Sequence, residues 1–410
     1  GVVFGQSAFI DAYRFTASSL NITDTDFING VYRYSGGEGA VINRGTINAD
    51  GVALIGRMVQ NTGTITTASG GYVAMVAGDK VLLGEPGSNI VVEADAVASA
   101  DTINVDGAGD VTAGNVINDG TINAPAGQVV LASGDIFSAA LNLDAIAVKV
   151  TNGIGTVTQN GTINANGTTG DGGSVILTAA DKVILNNGSL TSANAGTNGD
   201  GGQVIAYSPG TTIFDNGAQI QAEGGSQSGN GGFVEISGKQ HFLFDGDLDL
   251  SASNGEAGKL LIDPLNLTIA DGSGTATTDT IYEQTVEDLS VAGIDVIYRA
   301  DHSVTLADLT DNELTGGSGD ITLLTTMATD GFIVFNDLAD TIRTTTGDIT
   351  MISGTGGIHI GNLITGALAQ IASPGKIELL TIGGGDIVTG NLQALGGRNA
   401  LISVVSSGDI

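Results

Sequence analysis

The stretch NGTINANGTTGDGGSVILTAADKVIL, from Asn160 to Leu185, is followed at once by NNGSLTSANAGTNGDGGQVIAY, which restates it. Asn187-Gly188 answers Asn160-Gly161, Leu190 answers Ile163, and Gly201-Gly202-Gln203-Val204 answers Gly172-Gly173-Ser174-Val175. The step is about 27 residues at the first landmark and about 29 at the second, within the range of solenoid repeats. A unit this short cannot bury an apolar face alone, so copies at a near-fixed step must stack on one another.

Two landmarks recur along the chain. One is Gly-x-[Ile/Leu]-x-[Ala/Ser/Thr], as GTINA at Gly45, Gly120 and Gly161, GTITT at Gly63, GSLTS at Gly188, AQIQA after Gly217 and DLDLS after Gly246. From Gly161 through Gly188 and Gly217 to Gly246 it returns at steps of about 27 to 29 residues. The other is GGYVAMV at Gly70, GQVVLA at Gly127, GGSVILT at Gly172, GGQVIAY at Gly201 and GGFVEIS at Gly231. Each reads as a short strand bounded by turn residues.

Such strands, separated by Asn-Gly, Gly-Gly and Asp-Gly turns, also suit the hairpins of an antiparallel sandwich. The near-constant step decides for like stacked on like: an all-β, right-handed parallel β-helix with strands about 4.8 Å apart. Ile47, Ile122, Ile163, Leu190 and Ile220 are then core rungs, flanked by outward Thr, Asn or Gln. Asn160 and Asn187, at turns, suit amide ladders between coils. At roughly 20 to 29 residues per coil the chain is expected to make on the order of 14 to 20 coils and a rod roughly 70 to 95 Å long.

Composition agrees with a solenoid. The 410 residues include 65 Gly, 11 Phe, 7 Tyr and no Cys or Trp, so Val, Ile, Leu and Ala must supply the burial. The net charge is −31, and the 13 Lys and Arg are spread singly from Arg14 to Arg398. That pattern excludes nucleic acid as a partner, and the acidic excess reads as a solvated, self-repelling surface. No apolar run approaches the roughly 18 residues of a membrane span. The absence of cysteine fits a chain that crosses an oxidising compartment.

The rhythm divides the chain into expected regions. Residues 1–95 and 96–268 carry the repeats, and 269–318 interrupt them. Within the interruption TIYEQTVEDLSVAG reads as a helix near 279–293: Thr280 with Glu283 matches a capping box, Ile281, Val286 and Leu289 form one apolar side, and Gly293 terminates it. From 319 to 410 the rhythm resumes, with GDITL at Gly319, GDITM at Gly347 and GKIEL at Gly375 at an even step of about 28 residues. The chain begins without an initiator Met and stops at Gly408-Asp409-Ile410, in mid-repeat. It is therefore expected to be a segment of a larger protein whose coil ends allow self-association.

Several stretches resemble a known family. GVVFG at Gly1 is similar to the end of an Asn-Pro-Asn-Gly-Val-x-Phe-Gly segment found in the haemagglutination-domain exoproteins of Gram-negative two-partner secretion, the filamentous haemagglutinin family. ASSLNITDTDFINGVYRYSGGEGAVINRGTINADG, Ala17 to Gly51, is similar to the next part of that domain. GGYVAMVAGDKVLLGEPGS from Gly70 continues the likeness. GGFVEISGKQHFLFDGDLDLSASNGEAGKLLIDPLNLTIADG, Gly231 to Gly272, resembles a downstream segment of large relatives. Beyond 272 the likeness is one of rhythm alone. It implies a right-handed parallel β-helix, export through an outer-membrane partner transporter, a secreted or cell-surface place, and roles in adhesion, biofilm or display. The upstream Asn-Pro motifs of partner recognition are not in this sequence, and no family site residue carries over.

Parallel β-helices also include polysaccharide lyases and hydrolases, whose sites need converging carboxylates, often with Ca²⁺ and a base beside the sugar. Asp247 and Asp249 share one strand face, but no like pair lies one coil away and Lys259 is the nearest downstream base. His241, His302 and His359 lie far apart with no second His at metal-ligand spacing. The GDGG turns at Gly170 and Gly199 echo a calcium-binding nonapeptide, yet they are separated by a whole coil where that motif recurs back to back. TTTGDIT at Thr344 echoes threonine arrays without their regularity. No catalytic, cofactor or metal residue is assigned. The expected function is a non-enzymatic adhesin segment whose receptor is unknown; an extracellular filament or sheath is the second reading and a polysaccharide-cleaving enzyme the third.

Overall fold

The computed structural model describes residues 1–84, 92–105, 109–140, 147–151, 153–326, 330–366, 375–395 and 400–406. Branched residues at alternate positions favour extended backbone because their Cβ atoms pack on a pleated surface. Glycine-rich turns then return each strand beside its copy, and the result is a parallel β-helix. One face climbs through Phe9–Ser18, Thr46–Gly56, Tyr72–Ala77, Gln128–Ser133, Ser174–Ala179, Gln203–Ser208 and Phe233–Gly238, every step parallel. It continues through Lys259–Ile262, Asp295–Ala300, Ile321–Thr325, Ile349–Ser353 and Lys376–Thr381 to Leu401–Val405.

A second face is the eight-stranded parallel sheet from Val2–Phe4 to His241–Phe244. The third is the short strands Thr64–Thr66, Thr121–Asn123, Thr162–Asn164, Leu190–Ser192, Gln219–Gln221 and Asp247–Asp249. Beyond these, a six-stranded and a four-stranded parallel sheet take over the two sides.

Inside, like sits on like. Val52, Val73, Val129, Val175, Val204 and Val234 form one ladder, continued by Leu260, Val296, Ile321, Ile349 and Ile377. Ile47, Ile65, Ile122, Ile163 and Ile220 are completely buried, as the repeat predicts. Each such side chain contributes about 1.5–3 kcal/mol by leaving water. Close stacking also explains the recurrent glycine: a Cβ at Gly161 would collide with the Gly120 carbonyl oxygen directly below it.

Leu190 departs from its expected place. It pairs with Thr162, outside the core, and Thr191 sits over Ile163. The cause is the turn: the Ser189 backbone donates to the Asn186 carbonyl at 3.0 Å with Gly188 at φ +81°, in a longer loop than that at Asn160-Gly161. Four residues, Asn186 to Ser189, separate Leu185 from Leu190 where two separate Gln159 from Thr162, so Thr191 rather than Leu190 takes the rung over Ile163 and Leu190 falls on the outer face.

Among the described residues the longest ladder has about thirteen rungs and spans roughly 58 Å at the strand spacing, against the expected 14 to 20 coils and 70 to 95 Å. Fewer coils form because part of the chain leaves the helix. Asn21–Ile22, Tyr32–Ser35, Lys80–Leu83, Val92–Asp95, Ile136–Ala140 and Ala147–Val150 make a six-stranded antiparallel sheet, a feature the repeat did not predict. Leu20, Tyr34, Val81, Val92 and Ala94 pack from this flap onto Ala53, Ala74, Val130, Ile176 and Ile205, the outward residues of the first face. A hairpin of Thr102–Val105 and Gly109–Thr112 likewise covers Ala40, Ile42 and Met58 on the second face.

Coil strands also run through 269–318, where the sequence reads as an interruption. Thr280–Tyr282 is a strand beside Asn266–Ala270, and Asp295–Ala300 continues the first face. The helix is Glu283–Val291, closed by Gly293 at φ +81°, with Ile281 and Val286 buried beside Leu289. The capping box does not form. Thr280 is held in the strand, Tyr282 occupies the cap position without a side-chain bond, and Glu283 instead accepts from the Gly272 backbone at 2.9 Å. A second helix, Asp24–Ile28, is capped by Thr23, whose hydroxyl accepts from the Asp26 backbone. The expected half-strand at Gly408-Asp409-Ile410 lies outside the described residues.

Candidate functional site

The outward side chains carry any chemistry this solenoid has. Asp247 and Asp249 lie on one strand face, over Gln219 and Gln221. Asp249 accepts from the Ser251 backbone at 3.0 Å. Lys259 is not brought to them; its ammonium lies 3.1 Å from Asp295. The histidines stay apart: His241 meets Asp279 at 2.8 Å, His302 meets Asn266 at 3.0 Å and lies edge-on to Phe332, and His359 is exposed between Val334 and Val388.

The GDGG turns use their acids as struts. Asp171 accepts from the Asp200 backbone at 2.9 Å, Asp200 from Asn230 at 2.7 Å, and Asn230 from Glu256 at 2.9 Å. Asn160 joins an exposed ladder, accepting from Asn186 and donating to Asp119, both at 2.6 Å. Asn187 donates to the Asn216 carbonyl at 2.8 Å.

A deeper amide ladder runs inside the coil, beyond those expected at the turns. Asn43 donates to Asn61 at 2.8 Å, Asn61 to Asn118 at 2.9 Å and Asn118 to Gln159 at 2.8 Å, all four fully buried. Its signal is an amide in the last position of successive strands AVIN, MVQN, NVIN and TVTQ.

Acids are also stacked in the later coils. Asp320 donates its backbone to Asp295, Asp348 to Asp320 and Lys376 to Asp348, at 3.1, 2.7 and 2.8 Å. Lys259 and Lys376 close the two ends of this row. Burial pushes the Asp320 carboxyl above the usual range, the neighbouring Asp295 and Asp348 charges add to the rise, and the bond from the Asp348 backbone opposes it.

Where the flap ends, charge replaces apolar cover on the first face. Glu235 sits over Ile205, and burial pushes its carboxyl up. Beside it Asp263, fully buried, receives Lys239 at 2.7 Å and the Arg299 guanidinium, while Lys239 also reaches Asp301 at 3.0 Å. With its cations shared in this way the cluster pins coils together; Arg299 is held protonated chiefly by its hydrogen bond to Asp263.

One group has ligand-like spacing. Asp308, Asp337 and Asp340 each offer a carboxylate oxygen, all within 4.8 Å of one another. Leu306 pairs with Phe335, so Asp308 and Asp337 fall on adjacent coils. The sequence carries it as ADL at Ala307 and NDLAD at Asn336, a pattern not read because its acids share no single strand.

The fold has a counterpart of known structure. The HMW1 secretion domain from Haemophilus influenzae superposes with a TM-score of 0.51 over 79% of this chain and 77% of its own, at 18% identity. The likeness is one of fold. No family model matches the sequence, and no curated protein does. Among the described residues no helix is long and apolar enough to cross a membrane.

Proposed function

We infer that this chain is a β-helical segment of a secreted or cell-surface protein of the two-partner type, exported through an outer-membrane transporter and serving adhesion, biofilm formation or the display of distal domains. The observation that carries this reading is the β-helix aligned with a secretion domain over most of both chains. The resemblance of 1–51 and 231–272 to the filamentous haemagglutinin family and the lack of cysteine support it. The segment acts without turnover in this reading, in keeping with Lys259, the nearest downstream base, facing Asp295 rather than Asp247 and Asp249.

The test is surface exposure. Intact source cells treated with protease should lose the chain from the cell surface, and cells deleted for the partner transporter should retain it in the periplasm. Export that persists without the transporter, or a chain found only inside intact cells, overturns the reading. Cleavage of pectin or polygalacturonate by the purified segment would move it to the polysaccharide-degrading class.

A further inference from the structure

Many acids of this chain are held in one of two ways, and the buried Asp340 has no cation and leaves one oxygen unpaired. Elsewhere, acids are built into backbone ladders, as Asp171, Asp200 and Asp320 are, or face cations, as Asp263 faces Lys239 and Arg299. Asp340 is fully buried, yet its Oδ1 has no hydrogen-bond partner. Its Oδ2 receives only a long bond, 3.3 Å, from the Leu309 backbone. Among the described residues no Lys, Arg or His forms an ion pair with Asp308, Asp337 or Asp340. The charged groups acting on Asp340 are Asp337, Asp308 and Asp271, all negative.

An unpaired ionised carboxylate in such a place costs several kcal/mol, and three gathered together repel. Local bonds fix the arrangement nonetheless. Asp337 Oδ1 accepts from Ala339 at 2.9 Å, and the Asp340 backbone donates to the Asp337 carbonyl at 3.3 Å, so the NDLAD turn presents two of the acids together. Asp271, one coil below Asp308, is already occupied by the Thr310 backbone and hydroxyl at 2.9 and 2.6 Å. The three remaining acids leave oxygens close enough for one centre to approach them all.

We propose that Asp308, Asp337 and Asp340 form a binding site for one divalent hard cation, Ca²⁺ above all, between two coils on the side of the rod. The donors are all oxygen, which excludes the softer metals that prefer nitrogen or sulfur. Oxygens within 4.8 Å of each other suit a shared centre near the roughly 2.3–2.6 Å of a Ca–O bond. Two acids come from one coil and one from the next, so the ion ties adjacent coils together, with water completing its shell. The site is independent of the export reading: either stands if the other fails.

Calcium titration of the purified, metal-stripped chain at neutral pH tests this, read by calorimetry and by the thermal midpoint in Ca²⁺ against chelator. The wild type should take up one Ca²⁺ saturably, within or below the roughly 10⁻⁴–10⁻³ M range of extracellular calcium modules, and its midpoint should rise. Asp308→Asn, on an exposed residue whose change spares the core, should weaken binding at least about tenfold and abolish the rise. Asp340→Asn should do the same, and Asp247→Asn with Asp249→Asn should leave binding intact. The proposal is overturned by no saturable uptake at about 10 mM, ten times the upper limit of that range. It is equally overturned by unchanged binding in Asp308→Asn, or by a midpoint rise that NaCl of equal ionic strength reproduces.

Discussion

Asn61 donates its side-chain Nδ2 to Oδ1 of Asn118, 2.9 Å away on the next coil, and neither side chain is exposed. The bond is one link in a chain from Asn43 to Gln159 in which Asn61 and Asn118 each give one proton upward and accept one from below. Asn118→Ala leaves the Asn61 donor and the Gln159 acceptor unpaired in the interior. The expected loss is at least about 2 kcal/mol by urea denaturation, against about 0.5 kcal/mol or less for Asn160→Ala in the exposed ladder. Equal losses would show that the buried amides do not act as a ladder.

Much of the coil is legible because the repeat reports which residues share a rung. Ile163 over Ile122 follows from Gly161 answering Gly120. The slip at Leu190 is not legible, since a longer turn looks alike in sequence and only the backbone geometry at Gly188 reveals it. The flap was hidden differently. Tyr72–Ala77 reads YVAMVA and Gln128–Ser133 reads QVVLAS, apolar on both alternations, and this doubled pattern reports a sheet covered on both sides. Asp308, Asp337 and Asp340 were out of reach because their convergence depends on the fold between two coils.

Ile163 and Asn164 test the inward and outward assignment. Ile163→Asp places a carboxylate in a stack with no exposure to water, at several kcal/mol if it stays ionised. Asn164 accepts from the Asn166 backbone at 3.0 Å, a bond a serine hydroxyl also accepts, so Asn164→Ser should cost about half a kcal/mol or less. Chemical denaturation separates the two; similar losses would mean the register is wrong.

Thr191 lies between Ile163 and Ile220 with its hydroxyl buried and unpartnered. Replacing it by valine keeps the shape and removes the unpaired group, so Thr191→Val should stabilise by about 1 kcal/mol. Leu190→Thr, outside the core, should change stability little. The slipped register fails if Leu190→Thr proves the costlier of the two.

Asp320 sets a pH dependence. Its folded carboxyl is raised by burial and by Asp295 and Asp348, so between the ordinary Asp value and the raised one the folded chain holds a proton the unfolded chain has released. Stability through this group therefore falls as pH rises across that window and is fully regained below it. Asp320→Asn keeps the acceptor for the Asp348 backbone while removing the charge. It should raise the thermal midpoint at pH 7 and lose that advantage in acid; a gain that is the same at both pH values would refute the assignment.

The antiparallel flap gives the rod a direction. Leu20, Tyr34, Val81, Val92 and Ala94 reach across Ala53, Ala74, Val130, Ile176 and Ile205, binding five successive rungs of the first face as a splint binds slats. Among the described residues beyond Glu235 no such flap crosses this face, and Lys239 reaching Asp263 and Asp301 ties only neighbouring rungs. A force that peels the rod from its later coils meets a series of small yields, one coil at a time, and then a single large one when the splinted block gives way.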